Sequence, residues 1–359
     1  MKKQKLYIML YRIIKSYLKV KILGKPAPIS TLVSITNACP KGCCYCDSWK
    51  YPPMYTPTEK ILRLLKELDE AGVSRITFHG GDPLMHPDID RIVKETSQYN
   101  FFTTISVRES LIIEHLDDLK YVDLVFVSFD GKEKAHDAHK GKGSFKELIP
   151  AFQALKENNI PFQTTTCVTK NNKDDLGFIV ETANEYNFQA HFQPLQFPPF
   201  KKIEQSALND PEKNPMSPLL LTKEEYFQIG KKLLEIKNRG GSIATSKKII
   251  QMIFIDWPDP ALTYLPYRLD KSIKCWSGSL YNNVAATGEL FACGYYNPSY
   301  LPGNAPNVFE EGVANAFKKK IVDGACQTCM LPCYMELNAM FSLNIKTVLN
   351  WIPKVLKRK

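Results

Sequence analysis

Residues 37–50, NACPKGCCYCDSWK, set Cys39, Cys43 and Cys46 at C-x3-C-x2-C spacing, with Tyr45 directly before the last thiol. Thiols at such spacing serve three chemistries: disulfide staples, a zinc site or an iron–sulfur cluster. A structural zinc site normally takes four ligands from paired knuckles. Three thiolates on one loop suit a 4Fe–4S cluster that leaves one iron open to a small molecule. Zinc and incidental buried thiols stay open on this loop alone. Cys44 is a fourth candidate by spacing, but adjacent cysteines rarely aim at one metal, so it is read as a packing residue.

The elements that must carry this loop alternate. ISTLVSIT (29–36) predicts a strand ending at the loop, and 57–72 a helix with Ile61, Leu64, Leu65 and Leu68 inward. Strands follow at 74–80, 101–107, 122–130, 161–169 and 188–196, with helices at 86–99, 108–120, 144–159 and 173–186 between them. Six strand–helix units imply parallel strands joined by right-handed crossovers. Six fall short of a closed eightfold barrel, so the expected fold is α/β, a partial (β/α)6 TIM-like barrel with its site at the C-terminal strand ends. FHGGDP (78–83) ends the second strand at that same mouth, where two glycines let backbone approach a ligand closely.

With the cysteine loop and the glycine turn in these positions, residues 29–195 resemble the radical S-adenosylmethionine (radical SAM) superfamily. The resemblance implies that Cys39, Cys43 and Cys46 hold a 4Fe–4S cluster whose open iron binds S-adenosylmethionine. It implies that Gly80, Gly81, Asp82 and Pro83 line the methionine, and that Tyr45 lies near the adenine. Asp82 stands where the family commonly has Glu. VSFDGKEKAHDAHKG (127–141) is similar to the S-x-D-G…H-D-x-x-R-G stretch of members that carry an auxiliary cluster, which implies that Ser128 and Asp130 face ribose or substrate. Lys140 replaces the usual Arg and loses its planar fork of donors. The alternative is a plain turn, with His136 and His139 on the surface.

From about residue 267 the texture changes to short strands and turns with five cysteines: Cys275, Cys293, Cys326, Cys329 and Cys333. YNNVAATGELFACG (281–294) reads as a hairpin turning at Gly288 that delivers Cys293 beside Cys275. The spacing looks like the opening of the SPASM and "twitch" domains, small α+β cysteine-rich modules. It implies a second 4Fe–4S cluster held by four of the five, with Cys275, Cys293, Cys326 and Cys329 preferred and Cys333 the substitute. Zinc on the same thiolates is the competing reading. Cys167, mid-strand, is expected in the core.

The division expected is a basic helix (1–25), the barrel (26–200), a Pro-rich loop and helical linker (201–265), the auxiliary domain (266–340) and a basic tail (341–359). The linker helix opens at a capping box, Thr222 with Glu225. Of the formal charge of +10, the ends carry the excess: residues 1–25 hold eight Lys/Arg and 343–359 hold five, neither with an acid. The remainder is slightly negative, which argues against nucleic acid as a partner. Leu6, Met9, Leu10, Ile13, Ile14, Tyr17 and Leu18 predict one apolar helix face. Basic amphipathic ends suit peripheral contact with an anionic membrane. The Leu6–Tyr11 run is too short for a signal peptide or a membrane span, so a reducing, cytoplasmic setting is expected.

The resemblance implies an enzyme that cleaves S-adenosylmethionine to a 5′-deoxyadenosyl radical and takes hydrogen from an unreactive C–H bond. The auxiliary cluster would accept an electron or ligate the substrate. A flavodoxin- or ferredoxin-like donor is expected, and the substrate is a peptide, protein or small molecule. The alternatives are a membrane lipid or polyprenyl substrate, or a non-catalytic iron–sulfur electron carrier. No catalytic residue is assigned.

Overall fold

The computed structural model describes residues 3–40, 42–46, 48–195, 216–260, 262–294, 305–319, 326–344 and 347. Residues 201–215 of the expected Pro-rich loop and most of the basic tail lie outside them. In chain order the first part runs α1 (Lys3–Leu23), β1 (Ser30–Thr36), α2 (Thr58–Glu70), β2 (Arg75–Gly80), α3 (Ile89–Ser97), β3 (Phe102–Val107), α4 (Leu116–Leu119) and β4 (Leu124–Ser128). Then come α5 (Glu133–Lys140), α6 (Ser144–Glu157), β5 (Phe162–Val168), α7 (Leu176–Tyr186), β6 (Gln189–Pro194), α8 (Lys223–Asn238) and α9 (Lys247–Ile250). The last part holds β7 (Tyr264–Leu265), β8 (Tyr281–Val284), β9 (Leu290–Phe291), α10 (Val308–Glu311), α11 (Val313–Ala316), β10 (Thr328–Cys329) and α12 (Pro332–Phe341). The fold is the expected α/β class, with six strand–helix units.

The chain forms two compact units, each discontinuous in sequence. One comprises Met1–Ser128, Lys146–Phe162 and Trp276–Asp323; the other Phe129–Phe145, Gln163–Cys275 and Gly324–Lys359.

In the first unit the strand order is β4-β3-β2-β1-β8-β9. β1 to β4 pair in parallel, and β1 also pairs in parallel with β8, Ser30 opposite Tyr281 and Val33 opposite Val284. Buried apolar residues on α2 (Ile61, Leu64, Leu65, Leu68) and α3 (Ile89, Ile92, Val93) cover this sheet, as their helical spacing dictates. The hairpin at Gly288 forms, with that glycine at φ +98° and β8 antiparallel to β9. It extends the sheet beside β1.

In the second unit β5 and β6 pair in parallel, from Gln163 opposite Gln189 to Val168 opposite Pro194. α8 opens at the expected capping box: Glu225 N–H donates to Thr222 Oγ1 at 3.2 Å, and Thr222 N–H to the Glu225 carboxylate at 2.8 Å. β7 and β10 form a short antiparallel pair.

Two sequence expectations change. The helix expected at 108–120 is reduced to a 3-10 turn at Glu109–Leu111 and one turn of α4. Arg108 is extended, with its N–H held by Asp82, and Glu109 is buried, so the chain cannot coil from residue 108. The apolar arc of α1 splits: Met9 is buried while Leu10, Ile14 and Leu18 are exposed.

Candidate functional site

The cysteine loop is pinned at its stem. Asn37 N–H donates to Met54 O at 3.2 Å, its Nδ2 to Pro52 O at 3.0 Å, and its Oδ1 accepts Met54 N–H at 2.5 Å. Thr36 Oγ1 accepts Ala38 N–H at 2.9 Å and donates to Met54 O at 2.7 Å. These contacts close residues 37–54 into a loop directly after β1. Cys46 N–H turns back onto Cys43 O at 3.2 Å, with Tyr45 half-buried inside that turn. Cys44 is exposed, so its packing role is not met.

The glycine turn is laced to the same stem. Gly81 N–H donates to Thr36 O at 2.8 Å, and Asp82 N–H to Ala38 O at 2.6 Å. A Cβ on Gly80 would sit 2.0 Å from Thr36 O, and one on Gly81 2.0 Å from Ala38 O. Gly80 also has φ +138°. Only glycine fits at either position. Pro83 is buried at the start of a 3-10 turn.

Asp82 is held within the fold by backbone donors. Its carboxylate is buried and accepts two backbone N–H groups, Leu84 at 3.0 Å and Arg108 at 2.9 Å. It ties the turn to the end of β3. Burial pushes its carboxyl up to about 6, against the pull of those N–H groups and of the Arg108 guanidinium. A carboxyl whose folded-state value lies above the ordinary 3.8 keeps its proton longer in the folded state. Its stability contribution is therefore complete below about pH 4 and is lost as the pH rises through 6, by up to about 3 kcal/mol. Denaturant unfolding of Asp82→Asn at pH 4 to 7 should lack this slope relative to the wild type; parallel profiles would refute it.

Arg108 was not singled out by sequence, and it lies beside one of the thiols. It follows β3, is buried, and places Nη1 3.7 Å from Cys43 Sγ and Nη2 3.1 Å from Glu109 Oε1. Burial alone would lower its pKa, but Glu109, Cys43 and Cys39 together raise it. His79, in the FHGGDP stretch, also went unassigned. It shares a 3.0 Å hydrogen bond with Asn283 of β8, and burial holds its pKa below the ordinary value.

Ser128 ends β4, half-buried. Asp130, in the second unit, is fully buried: Oδ1 accepts Cys167 N–H at 2.8 Å, and Oδ2 lies 3.4 Å from His139 Nδ1 and 3.6 Å from Lys140 Nζ. His136 Nδ1 accepts Asp130 N–H at 3.1 Å, and His139 Nε2 meets Thr169 Oγ1 at 2.9 Å. Asp130 thus joins the chain after β4 to the end of β5, and both histidines are buried rather than on the surface. The feature behind this is the 3.6-residue period of α5, which turns His136, His139 and Lys140 inward. Cys167 is buried as expected.

Among the described residues no three His, Cys, Asp or Glu side chains already converge on a metal position. The donor set still fits an iron–sulfur cluster: three thiols on one pinned loop and a buried guanidinium to offset anionic thiolates. The C-terminal cysteines divide between the units, Cys293 following β9 in the first and Cys275, Cys326, Cys329 and Cys333 in the second. Within the second, Lys274 N–H donates to Ser342 Oγ just past α12, whereas Cys333 sits in the first turn of α12. Cys329 is buried in β10 and Cys333 is exposed.

A parallel β/α sheet thus carries a thiol loop after its first strand and a glycine turn after its second. Residues 33–183 match the model of the Radical SAM superfamily. Over 166 residues it is 30% identical to the sporulation killing factor maturation protein SkfB of Bacillus subtilis, covering 43% of this chain and 39% of SkfB. Over 165 residues it is 24% identical to the PqqA peptide cyclase of Granulibacter bethesdensis, covering 44% of each. The chain thus spans about two-fifths of the length of these curated relatives. The fold resembles that of Streptococcus suis SuiB bound to its precursor peptide SuiA, at TM-score 0.63 and 14% identity, over 86% of this chain and 68% of that one.

Proposed function

We propose that this protein is a radical SAM enzyme acting on a peptide or protein. The observation that carries the reading is the lacing of the glycine turn to the stem of the cysteine loop through Thr36 O and Ala38 O. Cys39, Cys43 and Cys46 would hold a 4Fe–4S cluster, and the backbone of Gly80 and Gly81 would meet S-adenosylmethionine. Cluster and S-adenosylmethionine, when bound, supply one-electron cleavage of the latter and removal of hydrogen from a C–H bond. The chain's own share is positioning. Asn37 and Thr36 fix the loop, Asp82 fixes the turn, and Arg108 sets positive charge beside the thiols. A flavodoxin- or ferredoxin-like protein would deliver the electron. Four of Cys275, Cys293, Cys326, Cys329 and Cys333 would hold a second cluster, as electron acceptor or substrate ligand. The peptide substrate is favoured by the relatives, one named for maturation of a killing factor and one as a peptide cyclase.

The test uses anaerobically reconstituted full chain, a reductant, S-adenosylmethionine and separately deuterated peptide, small-metabolite and lipid fractions of a cell extract. We expect about eight irons per chain, falling to about four when Cys39, Cys43 and Cys46 are replaced by alanine. Deuterium should reach 5′-deoxyadenosine from the peptide fraction. Transfer only from lipid would reassign the substrate to a membrane lipid or polyprenol. A loaded protein that forms no 5′-deoxyadenosine with any fraction would overturn the enzyme reading.

A further inference from the structure

α1 packs with the face opposite to the one a surface helix usually buries. It docks through polar and mixed contacts within its own unit: Arg12 Nη1 bonds Asp69 Oδ1 at 2.8 Å and Val73 O at 3.1 Å, and Lys5 Nζ lies 3.6 Å from Asp123 Oδ2. Tyr17 packs against Trp276 with ring centroids 6.2 Å apart, and Lys21 Nζ stands 4.7 Å over the same indole. Met9 and Ser16 are buried on this side. The opposite side is apolar and in solvent. Tyr7, Tyr11, Ile14, Leu18 and Ile22 are 69, 64, 59, 49 and 73% exposed. Their spacing of four, three, four and four residues makes one stripe about 22 Å long. A soluble protein rarely leaves such a stripe uncovered.

What borders the stripe selects its partner. Lys15, Lys19 and Lys21 are exposed along α1, and residues 1–25 contain no acid. A second copy of the helix would set lysine against lysine across an apolar seam. An anionic bilayer accepts both features, the apolar side chains entering the acyl boundary while lysines extend to the headgroups. No helix among the described residues is long and apolar enough to cross a membrane, and six cations within α1 exclude it from spanning. We infer that α1 is an in-plane anchor that holds the first unit on an anionic lipid surface. The Arg12–Asp69, Lys5–Asp123 and Trp276 contacts set its roll, so the stripe faces outward before any lipid is met. This anchor does not depend on the chemistry proposed above.

The test is co-sedimentation of the full chain with large vesicles, either phosphatidylcholine alone or phosphatidylcholine with about a third phosphatidylglycerol. The wild type should pellet with the anionic vesicles and be released by high salt. Ile14→Ser/Leu18→Ser should lower the partition coefficient by about tenfold or more, and Lys15→Gln/Lys19→Gln by several-fold. All four positions are exposed, so the unfolding midpoint should stay that of the wild type. Failure of the wild type to bind anionic vesicles, or binding that neither variant weakens, would overturn the anchor. So would a wild-type dimer in light scattering that the Ile14→Ser/Leu18→Ser variant converts to monomer, since the stripe would then belong to a second copy.

Discussion

Gly81→Ala should abolish 5′-deoxyadenosine formation while leaving the protein folded. The added methyl would lie 2.0 Å from Ala38 O and 2.5 Å from Asn37 O, distances that no side-chain adjustment relieves because both neighbours are backbone. The turn must therefore move off the loop stem, breaking the Gly81–Thr36 and Asp82–Ala38 hydrogen bonds that hold the two ligand-bearing segments together. A shift of about an ångström in such a site costs on the order of a hundredfold in rate, near 3 kcal/mol of transition-state stabilisation. Gly177→Ala is the matched control. That glycine lies in α7 with open space around it, and the change should be neutral or stabilise by up to about 1 kcal/mol. Turnover and iron content are read for both. Gly81→Ala retaining more than a tenth of wild-type turnover would show that the cradle does not position the cofactor.

The second large effect concerns charge. Arg108 stands 3.7 Å from Cys43 Sγ in a buried setting, partly compensated by Glu109. A one-electron reduction adds negative charge among thiolates, so a nearby cation favours the reduced state. Arg108→Gln should make the midpoint potential of the reconstituted first cluster more negative. At an effective dielectric near 20, one charge at this distance is worth about 4 kcal/mol. Compensation by Glu109 should reduce this to about 2 kcal/mol, or roughly 90 mV for one electron. Glu109→Gln should move the potential the other way. A redox titration followed by electron paramagnetic resonance separates the two, and shifts of equal sign would mean that altered loop packing, not charge, sets the potential. Binding of S-adenosylmethionine, read by its effect on the same spectrum, should change less than the potential does.

The sequence discloses groups whose meaning lies in spacing and hides those whose meaning lies in adjacency. Cys39, Cys43 and Cys46 stand out as candidate ligands because all three belong to one loop, and GGDP suggests a close approach because it ends a strand. Arg108 bears no such mark. It reaches Cys43 only because β3 lies two strands from β1 in a parallel sheet, a relation of topology rather than sequence distance. The resemblance implies that Asp82 lines the methionine and that Asp130 faces ribose or substrate. Burial and backbone N–H donors give them structural work that no linear pattern distinguishes. The α1 wheel predicts one apolar face, yet the docked side takes Met9 and leaves Leu10, Ile14 and Leu18 in solvent. That side was chosen by acceptors at Asp69 and Val73, far along the chain from Arg12. The hairpin at 281–294 was legible as a hairpin, yet its place beside β1 depends on a pairing with the other end of the molecule.

That last pairing sets an order of events. β1 carries the cysteine loop on its end, and one of its two edges is completed only by β8; Thr56, at the far side of the loop, also donates to Ala286 O at 2.7 Å. About 245 residues separate β1 from β8, and at 5–20 residues per second a ribosome needs on the order of 10–50 s to cover them. Through that interval the thiols hang from a strand with an open edge. A cofactor loaded early would meet a loop not yet held, whereas one loaded after residue 286 emerges would meet a finished stem. Truncations upstream of residue 281 should thus yield chains poor in iron even though every ligand of the first site is present.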